Sequence, residues 1–371
     1  MDGERVKPGV AEALAAGVAR ARSRPMTAGM RETAERLLVD IAGLCVAARN
    51  EDYVRAALDA WEADGQSTAI GHTRALDAAG AAFVNGTAAH GEDFDDTFEG
   101  GPVHAGVVIV PALLAAAERH RIAGPDLLLG VAVGCEVMCR GSLVAPRKIH
   151  KAGFHPTAVL GAMGAAAGVA AALRVDDATF ASAQGLAGSM ASGIIEYLAE
   201  GTWTKRMHPG WAAQAGLRAV ELARGGFLGP RTVWEGTHGF LHGFANSSEG
   251  AWGKLTDGFG ERWIAETIAF KPYACGTMIH PFIDCARRLA GRVDIDSITQ
   301  ISCDTAEGYV HRLWEPLDAK RRPPNAYAAK FSIPWCLGYA MVHGAVGLEA
   351  FEERHVHDPR ILALAAKVSY R

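Results

Sequence analysis

Apolar residues recur three and four positions apart through residues 28–48, 52–64, 73–89, 126–139, 176–190 and 211–224, with alanine and leucine dominating. That period predicts helices over the first two thirds of the chain. Gly-Pro-Asp at 124–126 marks one helix start, and Gly225-Gly226 followed by Gly229-Pro230 closes another. Two segments, "HPTAVLGAMGAAAGVAAAL" (155–173) and "AQGLAGSMASGI" (183–194), have no charged face and so predict interior helices. Gly161, Gly164 and Gly168 would let neighbouring helices approach closely. Their spacing suggests a phosphate loop only loosely, because no strand precedes them.

After about residue 265 the texture changes. "CGTMIHPFIDCARRLAGR" predicts a helix, the β-branched "SITQISCDTA" (297–306) a strand, and 327–343 a further helix. The pattern predicts a mainly α protein: a large all-helical domain over 1–267 and a smaller α+β domain over 268–371. The longest apolar stretches, such as "AGVVIVPALLAAA" at 105–117, fall short of the ~18 residues a membrane span needs.

Composition narrows the class. Hydrophobic residues make up 49% of 371 and charged residues 21%, a globular balance. The net charge of -4, without a basic run interleaved with aromatics, argues against a nucleic-acid partner. Seven cysteines with no CxxC pair argue for free thiols in a reducing compartment and against zinc or an iron–sulfur cluster. The first residues lack the apolar run of a secretory signal, so the expected location is the cytoplasm.

Candidate chemistry begins at "HGEDFDDTFEGGPVHAG" (90–106), where Glu92, Asp93, Asp95, Asp96 and Glu99 crowd together ahead of His104. Asp95-Asp96-x-x-Glu99 has the outline of an aspartate-rich Mg²⁺ site, but no second acidic motif follows, and a solvated loop with helix-capping aspartates is the competing reading. His155 and His208 each precede a proline. Proline favours the first turn of a helix, which predicts both histidines at helix N-termini, where a neutral imidazole can exchange protons near pH 7. Lys205 and Arg206 in "WTKRMHPGW", and Arg147, Lys148 and Lys151 ahead of His155, suit a carboxylate-bearing substrate. No GxSxG elbow or activated-cysteine signature supports nucleophilic hydrolysis.

Five blocks, "HGEDFDDT" with His104, "GFHPTAVLGAMGAAAGVAAAL", "GTWTKRMHPGWAAQAGL", "KPYACGTMIHPFIDCA" and "AKFSIPWCLGYAM", resemble in order and spacing the MmgE/PrpD family of 2-methylcitrate dehydratases, cis-aconitate decarboxylases and iminodisuccinate epimerases. The resemblance implies a large helical domain with a smaller α+β lid, a homodimer, no metal, no organic cofactor, no membrane, and a small di- or tricarboxylate substrate. Carried over position by position, it makes His104, His155, Lys205 and Asp93 the catalytic residues, and Thr97, Lys271, Tyr273 and His280 the substrate-binding ones.

The activity implied is that of a lyase moving a proton next to a carboxylate, a hydro-lyase ahead of a decarboxylase. An epimerase using the same residues, or a non-catalytic or truncated paralogue, are the alternatives. Phe98 and "CGTM" (275–278) stand where many relatives place a histidine or an arginine, which implies a less charged or differently shaped substrate. Relatives usually continue past "AAKVSYR" through more lid strands and a final helical segment, so either a truncated chain or a minimal lid is expected.

Overall fold

A computed structural model describes residues 8–371 of the chain. The fold is mainly α. The described residues divide into two compact units. The first runs up to Gly91 and from Asp95 to Phe270; the second comprises Glu92–Phe94 and Lys271–Arg371.

The first unit opens with α1 (Val10–Arg22), α2 (Ala28–Ala48) and α3 (Asp52–Asp59), then a short antiparallel ribbon of β1 (Asp64–Thr68) and β2 (Ala75–Leu76). It continues with α4 (Ala78–Gly91), α5 (Gly106–His120), α6 (Gly124–Val144), α7 (Lys148–Lys151) and α8 (Pro156–Ala172). It closes with α9 (Asp177–Met190), α10 (Tyr197–Glu200), α11 (Thr204–Arg224), α12 (Phe240–Ala245) and α13 (Trp252–Thr256).

Helix α8 is buried along its whole length, as its lack of a charged face predicts. Its glycines allow the crossing with α6: a Cβ on Gly168 would lie 2.6 Å from the Gly130 carbonyl oxygen, and one on Gly164 2.9 Å from that of Gly134. Helices α4 and α11 cross as closely, since a Cβ on Gly86 would stand 2.6 Å from Gly210 Cα. These crossings leave little slack around the ends of α4, α8 and α11, from which the site histidines project.

Four expectations need correction. Residues 52–64 are not one helix: α3 stops at Asp59, and Gly65, whose Cβ would lie 2.5 Å from the Leu76 carbonyl oxygen, belongs to the ribbon. His208 is not at a helix N-terminus, because α11 starts at Thr204 and carries Pro209 inside it. A proline there forfeits one intrahelical hydrogen bond near the helix start, a loss that the tight α4–α11 packing can outweigh. The segment 327–343 is two helices, because Ser332 caps a new one, its hydroxyl accepting from the Trp335 N–H. Finally, α6, 21 residues of mean hydropathy 1.7 in its most apolar window, is long and apolar enough to cross a membrane; 78% of that window is buried within the fold, as in the core helix of a globular protein.

The second unit contains α14 (His280–Leu289), β3 (Ile301–Cys303), α15 (Glu307–Tyr309), α16 (Leu317–Arg321), α17 (Ala326–Ala329) and α18 (Ile333–His343). It ends with α19 (Glu353–Val356), α20 (Pro359–Ala365) and β4 (Val368–Tyr370), which pairs in parallel with β3. Trp314, Trp335, Ile283, Ile333, Ile361 and Val368 form its core, and Phe94 packs against them.

Candidate active site

Four histidines meet in the first unit. His90 ends α4, His104 stands two residues before α5, His155 caps α8, and His208 lies one turn into α11. The His90 ring is 5.3 Å from that of His104 and stacks at 5.8 Å on His155, whose ring is 5.3 Å from His208. Tyr197 packs edge-on against His155 and His208. Lys205, buried on the first turn of α11, adds its positive charge to the field at His155.

Hydrogen bonds define the protonation of His104. Its Nδ1 is 2.7 Å from the Asp96 carbonyl oxygen, which only accepts, so Nδ1 carries the hydrogen and Nε2 keeps its lone pair. Asp95 Oδ2 lies 2.8 Å from His90 Nδ1 and 3.4 Å from His104 Nδ1. The Thr157 hydroxyl accepts from the His104 backbone N–H at 3.2 Å. His155 Nδ1 and His208 Nδ1 are 3.1 Å apart, so one hydrogen serves both.

Burial sets the charges. Desolvation, with His90, His208, Lys205 and His104 adding positive charge nearby, holds His155 well below the usual imidazole range. His208 is pushed down to about 4, chiefly by burial. Asp96 rises to about 7 because it is fully buried beside Asp95, although its carboxylate accepts from the Ala105 and Gly106 N–H groups at 3.0 and 2.9 Å and so caps α5. Near neutral pH His155 and His208 are therefore neutral imidazoles.

Of the predicted site residues, His104, His155 and Lys205 come together here. Thr97 forms an antiparallel bridge with Ala269, its N–H donating at 2.8 Å and its carbonyl accepting at 2.9 Å. Asp93, Lys271, Tyr273 and His280 lie in the second unit. Lys271 Nζ donates to Asp93 Oδ1 at 2.6 Å and to its backbone carbonyl at 2.9 Å, and both side chains are buried. Lys330 grips Glu92 in the same way, at 3.0 Å to Oε2 and 2.7 Å to the backbone oxygen. The Tyr273 hydroxyl donates to Asp284 and accepts from Arg287, and His280 Nε2 lies 3.3 Å from the Cys275 carbonyl oxygen.

Sequence reasoning passed over His90 and Lys330, and read Asp95 and Asp96 as a metal clamp or helix caps; Asp96 does cap α5, whereas Asp95 is the partner of a histidine. A cavity of about 540 Å³ is lined by Arg140, Trp252, Lys254, Asp257, Arg262 and Ile264, and by none of the predicted residues. Among the described residues no group of three or more His, Cys, Asp or Glu is arranged to hold a metal ion.

Comparison with known proteins places this geometry in a class. The MmgE/PrpD N-terminal domain matches residues 12–252 and the MmgE/PrpD C-terminal domain residues 273–371. The chain belongs to the MmgE/PrpD family. Cis-aconitate decarboxylase from Aspergillus terreus is 29% identical over 364 residues, covering 91% of this chain and 73% of its own length. A cis-aconitate decarboxylase-like protein from Aspergillus oryzae is 28% identical over 334 residues, covering 84% and 68%. Cis-aconitate decarboxylase from Mus musculus is 29% identical over 298 residues, covering 78% of this chain and 59% of its own.

Proposed function

We propose that this chain is a lyase that decarboxylates a small unsaturated tricarboxylate of the cis-aconitate class by proton transfer, without a metal or organic cofactor. The observation that carries this reading is the buried histidine cluster, with Lys205 beside it and the His104 tautomer fixed. The names of the relatives shift the preference from a hydro-lyase to a carbon–carbon lyase.

In the proposed step the bond to one carboxylate breaks, carbon dioxide leaves, and the electron pair moves into the remaining carbon framework. Lys205 offsets the charge as it develops. A proton then reaches the carbanion-like carbon from His104, protonated at Nε2, with His155 as a neutral relay beside it, and is replaced from solvent. One proton enters and one carbon dioxide leaves per turnover. The family resemblance gives Asp93 a catalytic role and gives Thr97, Lys271, Tyr273 and His280 contacts with the substrate. The same reading carries a homodimer in the cytoplasm.

The test is incubation with cis-aconitate, citrate, methylcitrate, tartrate and aspartate-derived acids in D₂O, followed by product mass. Loss of 44 mass units as carbon dioxide, with deuterium gained and activity surviving EDTA, is the expected result for cis-aconitate. Loss of water from a hydroxy acid would replace decarboxylation by dehydration, and an unchanged backbone with deuterium and inverted configuration by epimerisation. Activity abolished by EDTA and restored by a divalent metal would overturn the cofactor-free reading.

A further inference from the structure

His90, like His208, is a member of the cluster that the proposed reaction leaves without a task. It ends a helix of small and apolar residues, and its side chain is fully buried. Packing against α11 at Gly86–Gly210 holds the α4 backbone in place. The ring uses Nδ1 on Asp95 at 2.8 Å, while Nε2, also buried, has no hydrogen-bond partner among the protein groups.

Asp95 connects this ring to the proton-carrying one. Its Oδ2 lies between His90 Nδ1 and His104 Nδ1, at 2.8 and 3.4 Å. When His104 takes up a proton at Nε2 it becomes a cation, and Asp95 is the adjacent counter-charge. Burial disfavours a bare carboxylate, and an N–H donated to it favours the ionised form.

We propose that His90 is a positioning residue: it fixes the Asp95 carboxylate between two imidazoles and, through Asp95, sets the charge that His104 can carry. The proposal rests on the reading of His104 as the proton-transferring residue. Other ionisable groups face this array from the surrounding elements. They are Asp40 of α2, acting on Asp96; Asp96 itself, ahead of α5; Tyr197 of α10; His155 at the start of α8; and Lys205 and His208 of α11.

Ring-nitrogen NMR of ¹⁵N-histidine-labelled protein tests this without needing a substrate. The His104 signal is identified by its loss in His104→Gln. In His90→Leu, which keeps bulk and loses the donor, the His104 titration midpoint should fall by about one unit or more. In His90→Asn, whose amide N–H falls where Nδ1 was, it should stay within about 0.3 unit of the parent. His90→Gln, whose amide is placed nearer Nε2, should behave like the leucine variant and replaces it if that variant does not fold.

Kinetically, the leucine and glutamine variants should lose about tenfold or more in kcat with little change in KM, and asparagine should recover most of it. An unmoved His104 midpoint in folded His90→Leu or His90→Gln would overturn the proposal, as would asparagine and leucine variants shifted alike. A midpoint that moves in a protein that does not release carbon dioxide would sustain the coupling and defeat the decarboxylase reading instead.

Discussion

The two units bury charge-bearing side chains in opposite ways. In the first, burial holds His155 and His208 below the usual imidazole range, so these two rings are neutral near pH 7. In the second, two buried lysines grip Asp93 and Glu92 directly. An imidazole can alternate between neutral and cationic forms within the physiological range when its surroundings allow, whereas a lysine paired with a carboxylate orders whatever it holds. The first arrangement suits proton transfer, and the second suits holding a chain segment in place.

Breaking the second arrangement should have the largest effect on stability. Lys271→Met leaves the Asp93 carboxylate buried without its cation and should cost about 3–5 kcal/mol in urea unfolding. Asp93→Asn is the matching partner change, since Asp93 has φ 55° and asparagine tolerates that conformation. The double variant should recover a large part of the loss. A double variant as unstable as the sum of the singles would mean that the pair is not the source.

Acid should weaken the first arrangement. His208 falls from 6.5 unfolded to about 4 folded, so the unfolded chain binds the extra proton between those values. The stability it contributes is complete above pH 6.5 and disappears as pH falls toward 4, a difference on the order of 3 kcal/mol for ~2.5 units at 1.36 kcal/mol each. Unfolding free energies at pH 7.5 and pH 4.5 should diverge less for His208→Gln than for the parent. Equal divergence would remove His208 from the explanation.

Smaller effects sharpen the same contrast. Asp96→Ala strips two buried N–H groups of their acceptor at the start of α5 and should cost about 2–3 kcal/mol by thermal or urea unfolding. Lys330→Met should cost about 1–2 kcal/mol, less than Lys271→Met because the Glu92 side chain is 19% exposed and water can take over part of its hydration. A loss as large as that of Lys271→Met would show that the two lysines are equivalent anchors.

Much of the fold was legible because it rests on local periodicity. The repeat over 28–48 coincides with α2, and the charge-free segment after His155 is the buried helix α8. The β1–β2 ribbon was not legible, because its residues carry no strand alternation and its tight approach at Gly65 depends on a distant strand. Pro209 misled for a related reason: the local preference for a helix start lost to packing around Gly210.

The site was legible where a motif carries it and hidden where contacts do. His104, His155 and Lys205 stand in blocks whose residue types already suggest carboxylate chemistry. Nothing local marks Asp95 rather than Asp93 as the partner of a histidine, because that depends on which way each carboxylate points once the chain has left α4. The grips of Lys271 on Asp93 and Lys330 on Glu92 span 178 and 238 residues, far beyond any periodic signal.

The central claim is that the histidine cluster transfers the proton in a decarboxylation. Carbon dioxide release from cis-aconitate by the parent chain and by His104→Gln, with folding verified by circular dichroism, tests it most directly. Turnover by the parent and a loss of about 10²–10⁴-fold in kcat in the variant are predicted. A folded variant that releases carbon dioxide as fast as the parent would contradict it.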